Sequence, residues 1–191
     1  MGHKLDYTKG KAGFVMANGG SAWHGLGKTF DGDITTVQAL EHAGLDFIVS
    51  KAPNIHVLPD LTEIVSNTSF FTFRTDINDL GEIKYNVLGS GLGAKYEVLQ
   101  NIECFDLTDE ILQHGKAKIE TAGSIDGGRK VFICLKVNEG IRVGDSDIIN
   151  QYVLLSNSHD GSMSIRATPT NVRVVCNNTL TAALNLNLKK N

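Results

Sequence analysis

Four side chains in this sequence stand in contexts that could move protons or hold metal ions: His24, Glu120, His159 and Asp160. Together they would serve as acid, base or ligand groups on a nucleotide or phosphoester, with Arg173 or Asn177 steadying charge in the transition state. Each also has a plainer role. His24 follows Trp23, the single tryptophan, between glycines, a context that equally suits an aromatic anchor pinning a segment to the core. Glu120 stands at a strand end beside small residues, where an edge glutamate faces water. His159-Asp160-Gly161 is turn chemistry, and neighbouring strand residues point to opposite faces, so the two need not share a site.

A second set could hold a phosphate backbone: Arg129, Arg166 and Arg173, with Trp23 or Phe71 to stack on bases. Asn177 and Asn178 end an apolar run at a helix start, where free backbone N–H groups face an anion. The net charge of -3 conceals an uneven distribution. Residues 1–30 hold four lysines against Asp6, net +3, and residues 151–191 hold Arg166, Arg173, Lys189 and Lys190 against Asp160, again net +3, leaving the middle at -9. Overall acidity argues against a nucleic-acid coat, but a local basic face from the two ends remains compatible with DNA or a nucleotide as partner.

Several chemistries are excluded by spacing. Gly89-Ser90-Gly91-Leu92-Gly93 follows a strand but matches neither G-x-G-x-x-G nor a phosphate-binding loop ending in Gly-Lys-Ser/Thr, so it reads as a turn. Asp145 and Asp147 fall far short of a calcium loop. Cys104, Cys134 and Cys176 lie far apart, without zinc or redox spacing, and read as small core residues. No metal set and no particular cofactor is indicated. The longest apolar runs are too short to span a bilayer and the first residues lack the apolar stretch of a secretory signal, so a cytoplasmic location is expected.

The elements that must position these residues follow from periodicity. A helix is expected from Thr35 to Leu45, capped by Thr35 or Thr36 and stopped at Gly44, and a second from Asn101 to Gln113. Strands are expected at 47–49, 55–58, as a pair within 62–76, and at 83–88. Lys118–Thr121 and Lys130–Lys136 form a hairpin across Gly127-Gly128, and 141–149 reads as a solvated loop. Tyr152–Ser156 and Ser162–Arg166 flank the His-Asp-Gly turn, Thr168-Pro169 breaks the sheet, Asn171–Cys176 resumes it, and a helix runs from Leu180 to Leu186. These give an α+β fold, a mostly antiparallel sheet with two or three helices on one face. The organisation expected is an arm over 1–30 carrying the Trp-His-Gly motif and one domain over 31–191. Oligomeric state is not encoded in any motif, although exposed sheet edges favour self-association.

Three segments together resemble a family: Ala22-Trp23-His24-Gly25-Leu26-Gly27; Glu120-Thr121-Ala122-Gly123 with Gly127-Gly128-Arg129; and Asn157-Ser158-His159-Asp160-Gly161-Ser162 with Val172 through Leu180. They look like the phage/plasmid-like proteins of unknown function, found in bacteriophages, plasmids and integrated elements of bacteria. The resemblance implies a mobile-element origin and, in that setting, a nucleic-acid role in replication or recombination. Enzymatic action on a nucleotide or phosphoester, or a non-enzymatic interaction module, are the alternatives. Relatives usually continue past the last helix into a longer polar, helical region.

Overall fold

The computed structural model describes residues 4–7, 10–18, 25–77, 80–114, 117–137, 141–143 and 147–185. Trp23 and His24 therefore lie outside the described residues, as does Asp145. The fold is α+β with mostly antiparallel pairing, as the sequence implies.

Its centre is a six-stranded sheet. The hairpin of β6 (Ala117–Ile125) and β7 (Lys130–Val137) is flanked by β10 (Tyr152–Ser158) and the edge strand β11 (Arg166–Thr170) on one side. On the other side lie β1 (Phe14–Met16) and β2 (Lys28–Thr29), the latter pair parallel. Side chains alternate across this sheet. Val131, Ile133 and Leu135 face one core with α1 (Thr36–His42) and α2 (Asn101–Gln113), while Phe132 and Cys134 face a second core under α3 (Asn177–Asn185). Two helices thus share one face, and the third covers the other.

The caps explain the helix starts. Thr35 accepts from the Gln38 backbone while the Gln38 side chain accepts from the Thr35 N–H, and at α2 the Glu103 side chain accepts from the Gln100 N–H while the Gln100 side chain bonds the Val49 backbone. Thr179 ties α3 down by accepting from the Val175 and Cys176 N–H groups. Among the described residues no helix is long and apolar enough to cross a membrane.

A separate three-stranded sheet, β3 (Ile48–Val57), β4 (Glu63–Ile77) and β5 (Ile83–Gly93), stands against the end of the first. Several expectations are corrected here. The two strands expected at 47–58 are one, bent by an irregularity between Pro53 and Ile55. The pair expected within 62–76 is a single strand of 15 residues. Gly89–Gly93 is not a turn but the continuation of β5, which pairs through Leu92 with Phe70.

Elsewhere, 141–149 folds as a small hairpin, β8 (Ile141–Val143) with β9 (Asp147–Ile149), rather than a loop. The strand after the His-Asp-Gly turn is β11, not 162–166, and it includes Thr168-Pro169. An edge strand tolerates proline because its outward N–H is not needed by the ladder. Residues 171–176 form no strand; their apolar side chains Val174, Val175 and Cys176 instead pack into the core beneath α3. The run Phe14-Val15-Met16, inside the glycine- and lysine-rich stretch read as an arm, is fully buried in the main sheet.

Candidate functional site

The sequence candidates divide between two places. Glu120 sits on β6 at an irregularity between Ile119 and Thr121, which turns both Glu120 and Thr121 toward the segment under α3. There Arg173 Nη1 donates to Glu120 Oε1 at 3.3 Å, and Thr121 Oγ1 donates to the Val174 carbonyl at 2.6 Å. Glu120 is nearly buried and Arg173 is exposed. Arg166, opposite Ser156 on the edge of the sheet, is on the same side of the sheet as α3, whose first turn carries Asn177 and Asn178.

His159 lies elsewhere. It follows the last residue of β10, and its N–H donates to the Arg129 carbonyl in the β6–β7 turn. That end of the hairpin is five positions along β6 from Glu120, on the order of 16 Å. Its ring faces the opposite core, against Phe47 and the start of α2. Glu120 and His159 are therefore not brought together. Arg129 itself is exposed in the turn.

The His159 ring is fully buried. Asn101 donates its Nδ2 to the Leu45 carbonyl at 2.8 Å, which leaves Asn101 Oδ1 to accept from His159 Nε2 at 2.8 Å. The proton thus resides on Nε2, and Nδ1 is buried with no hydrogen-bond partner. Burial pulls the imidazole pKa down to about 4; Asp160 opposes this, and Arg74 adds to it. His159 is a neutral core histidine at physiological pH. For Asp160, burial acts to raise the carboxyl, but hydrogen bonds from Ser162 and Ser158 and the field of Lys130 outweigh it, and its pKa is lowered. Burial likewise pushes the Cys104 and Cys134 thiols up to about 12, so neither is a thiolate nucleophile.

His159-Asp160-Gly161 is where the two sheets meet. Thr72 Oγ1 donates to the His159 carbonyl at 2.5 Å, and Tyr96 Oη donates to the Ser158 carbonyl at 3.2 Å. A Cβ on Gly89 would lie 2.6 Å from Asp160 Cα, so only glycine lets the strands approach this closely. Of the glycines that resembled a nucleotide loop, Gly89 serves this close approach and Gly91 takes a positive φ of +70°.

Beside this contact is a buried ion network that the sequence did not single out. Arg74, on β4 and fully buried, donates through Nη1 to Asp6 and through Nη2 and Nε to Asp76 Oδ1, at 2.6 and 3.1 Å. Asp76 Oδ2 accepts from Asn86 at 2.9 Å, and Asp6 Oδ2 accepts from Ser124 at 3.2 Å. The guanidinium stacks over Phe47, 3.9 Å from the ring centre, and Gly128 passes so close that a Cβ there would sit 2.8 Å from Arg74 Nη1. Two carboxylates thus share one guanidinium, with neutral donors supplying the remainder. No motif spacing links residues 6, 74, 76 and 86; the available signal was an arginine and an aspartate alternating with aromatics inside a strand.

The arrangement can hold two sheets together, but it does not present a reacting group to solvent. Among the described residues no group of three or more His, Cys, Asp or Glu side chains is placed to hold a metal ion. The surface that is open lies on the far side of β3–β4–β5. Ile48, Ile77, Ile83, Tyr85 and Val87 are 56–69% exposed there.

Comparison with known proteins gives one finding. The family described as a domain of unknown function (DUF932) matches residues 89–190, from the end of β5 through the last helix. No curated protein and no solved structure matches the chain.

Proposed function

We propose that this chain, which belongs to the DUF932 family, is a binding protein that works through the outer face of its three-stranded sheet. The carrying observation is the composition of that face. Pairing places Ile48, Ser50 and Ala52 of β3 beside Thr75, Phe73 and Phe71 of β4, and Ile83, Tyr85 and Val87 of β5 beside Ile77, Thr75 and Phe73. None of these positions is charged, and Phe73 packs on both Phe71 and Tyr85, with centroids 5.5 and 5.6 Å apart. Contiguous exposed apolar surface of this extent marks an interaction site in a soluble domain. This supports the interaction-module reading over catalysis, since Glu120 and His159 occupy different faces. A photoreactive residue at Tyr85 or Val87, activated in the producing cell, is expected to yield crosslinked macromolecular adducts. Absence of adducts at both positions removes the proposal.

A nucleic-acid role in a phage or plasmid rests on another surface. Arg166, Arg173 and the first turn of α3 lie on one side of the main sheet, and Arg129 projects from its end. Labelled single-strand and duplex DNA at low salt test it: binding that weakens steeply with salt supports the role, and no binding at micromolar protein removes it.

A further inference from the structure

The outer face of β3–β4–β5 needs an occupant, and we infer that it is a second copy of this chain, docked face to face about a two-fold axis. The inference rests on the binding proposal above and names its partner.

Three observations select a copy. The first is charge. The ten positions named above, at the end of the sheet where all three strands pair, are uncharged, while Lys84, Asp76 and Arg74 alternate to the inner side, where Asp76 and Arg74 are buried. A partner recognised by charge would find nothing to pair with here. An identical face meets no like-charge repulsion, and a two-fold interface requires a surface compatible with itself.

The second is area. Five large side chains at 56–69% exposure, with the mostly buried Phe71 and Phe73 between them, offer on the order of 700 Å² per chain. A stable interface of standard size takes about 800 Å² per partner. A single peptide strand or small ligand would leave most of this uncovered.

The third is continuity. Ile48, at one margin of the face, also lines a groove of about 330 Å³ with Val37, Phe47 and Ile102, which Glu41 and Asp46 line as well, and both Val37 and Ile102 are more than half exposed. The apolar surface therefore continues from the sheet onto the starts of α1 and α2, giving a facing copy further surface to cover. The projecting tip of the β3–β4 hairpin, around Leu61, lies outside this face and serves as the internal control.

The test is sedimentation velocity on the intact chain from about 1 to about 100 µM, a range that spans ordinary homodimer affinities. Twice the chain mass is expected. Tyr85→Glu and, separately, Val87→Lys are expected to raise the dimer dissociation constant about 100-fold, as for a charge placed in a desolvated interface centre. Leu61→Glu should leave it within about threefold, because surface changes outside an interface are near neutral. Circular dichroism of both face variants checks that they fold; if one does not, the other carries the comparison.

A wild-type chain that remains monomeric at the highest concentration, or a dimer that both folded face variants leave intact, overturns the inference. The adduct at Tyr85 then separates the failures. A monomer crosslinked to a different macromolecule ends the dimer but keeps the binding proposal. A monomer crosslinked only within its own chain, or not at all, ends both.

Discussion

The two faces of β4 have exchanged their usual roles. Thr72, Arg74 and Asp76 point toward the body of the protein and are buried, whereas Phe71, Phe73 and Ile77 point away from it and are partly or mostly exposed. A half-buried antiparallel strand ordinarily places its apolar side inward and its polar side in water. Here the inward side is secured by ion pairs, a guanidinium over Phe47 and a threonine bond to the His159 carbonyl. The difference teaches that attachment and recognition are assigned to opposite faces. The polar face fixes the sheet in one geometry, because its hydrogen bonds tolerate one register. The apolar face, with no directional requirement, remains available to a partner.

The inner face should break most easily. Arg74→Ala takes the shared guanidinium away from the buried Asp6 and Asp76 carboxylates and opens a void beneath Phe47, so a loss of about 3–5 kcal/mol is expected in urea unfolding. Arg74→Met keeps the volume but not the charge and should lose nearly as much, since both carboxylates still lack their shared partner. If Arg74→Met is as stable as wild type, the network does not hold the sheet.

His159 tests the same junction through pH. Its pKa is about 4 when folded, below the ordinary value of 6.5. Above pH 6.5 the ring is neutral in both states and contributes no pH dependence. As pH falls from 6.5 toward 4 the unfolded chain takes the proton and the folded one does not, so stability falls by up to about 1.4 kcal/mol per unit, about 3 kcal/mol in all, and then levels off. Asp160, whose folded pKa is also lowered, adds loss at lower pH in wild type and variant alike. His159→Gln should therefore show a shallower decline between pH 6.5 and 4, and equal slopes would place His159 in contact with solvent.

Gly128→Ala is a smaller intrusion into the same network. Its φ of +95° is strained for alanine, and the new methyl would meet Arg74 and Phe47 at 2.8 and 3.0 Å. About 2 kcal/mol of destabilisation is expected in the same unfolding assay.

What could be read in advance depended on whether the signal was local. The α1 helix announces itself through Thr35 and Gly44, because a cap and its hydrogen bonds lie within four residues, whereas α2 is legible through its apolar period and its cap is Gln100 rather than Asn101, whose side chain bonds Leu45 and His159. The β6–β7 hairpin is local for the same reason. The inversion of β4 was not legible: Phe-Phe-Thr-Phe-Arg-Thr-Asp gives a strand period, but assigning its inner face requires Asp6, sixty-eight residues earlier, whose pairing no spacing encodes. Phe14-Val15-Met16 was a missed local signal, a continuous apolar run of the kind that a buried strand uses. Of the candidate residues, Glu120 and Arg173 do pair, as a strand carboxylate and a loop cation that sequence had named separately. His159 was visible as a notable residue, but its role as a neutral buried contact depends on Asn101 and Phe47, which reach it only in three dimensions.

The outer face should respond least when a single chain is measured, and that silence is informative. Tyr85→Lys removes a ring that is mostly in water, so the folding stability of dilute protein should change by less than about 0.5 kcal/mol. Mass action makes the comparison sharper at higher concentration. If the folded state pairs through this face and the unfolded state does not, the wild-type melting temperature rises with protein concentration, while that of Tyr85→Lys does not. Two melting curves that coincide when dilute and separate when concentrated distinguish a recognition surface from a packing surface. Curves already separated when dilute would mean that Tyr85 supports the fold, and the division of labour across β4 would then be less complete than its burial pattern implies.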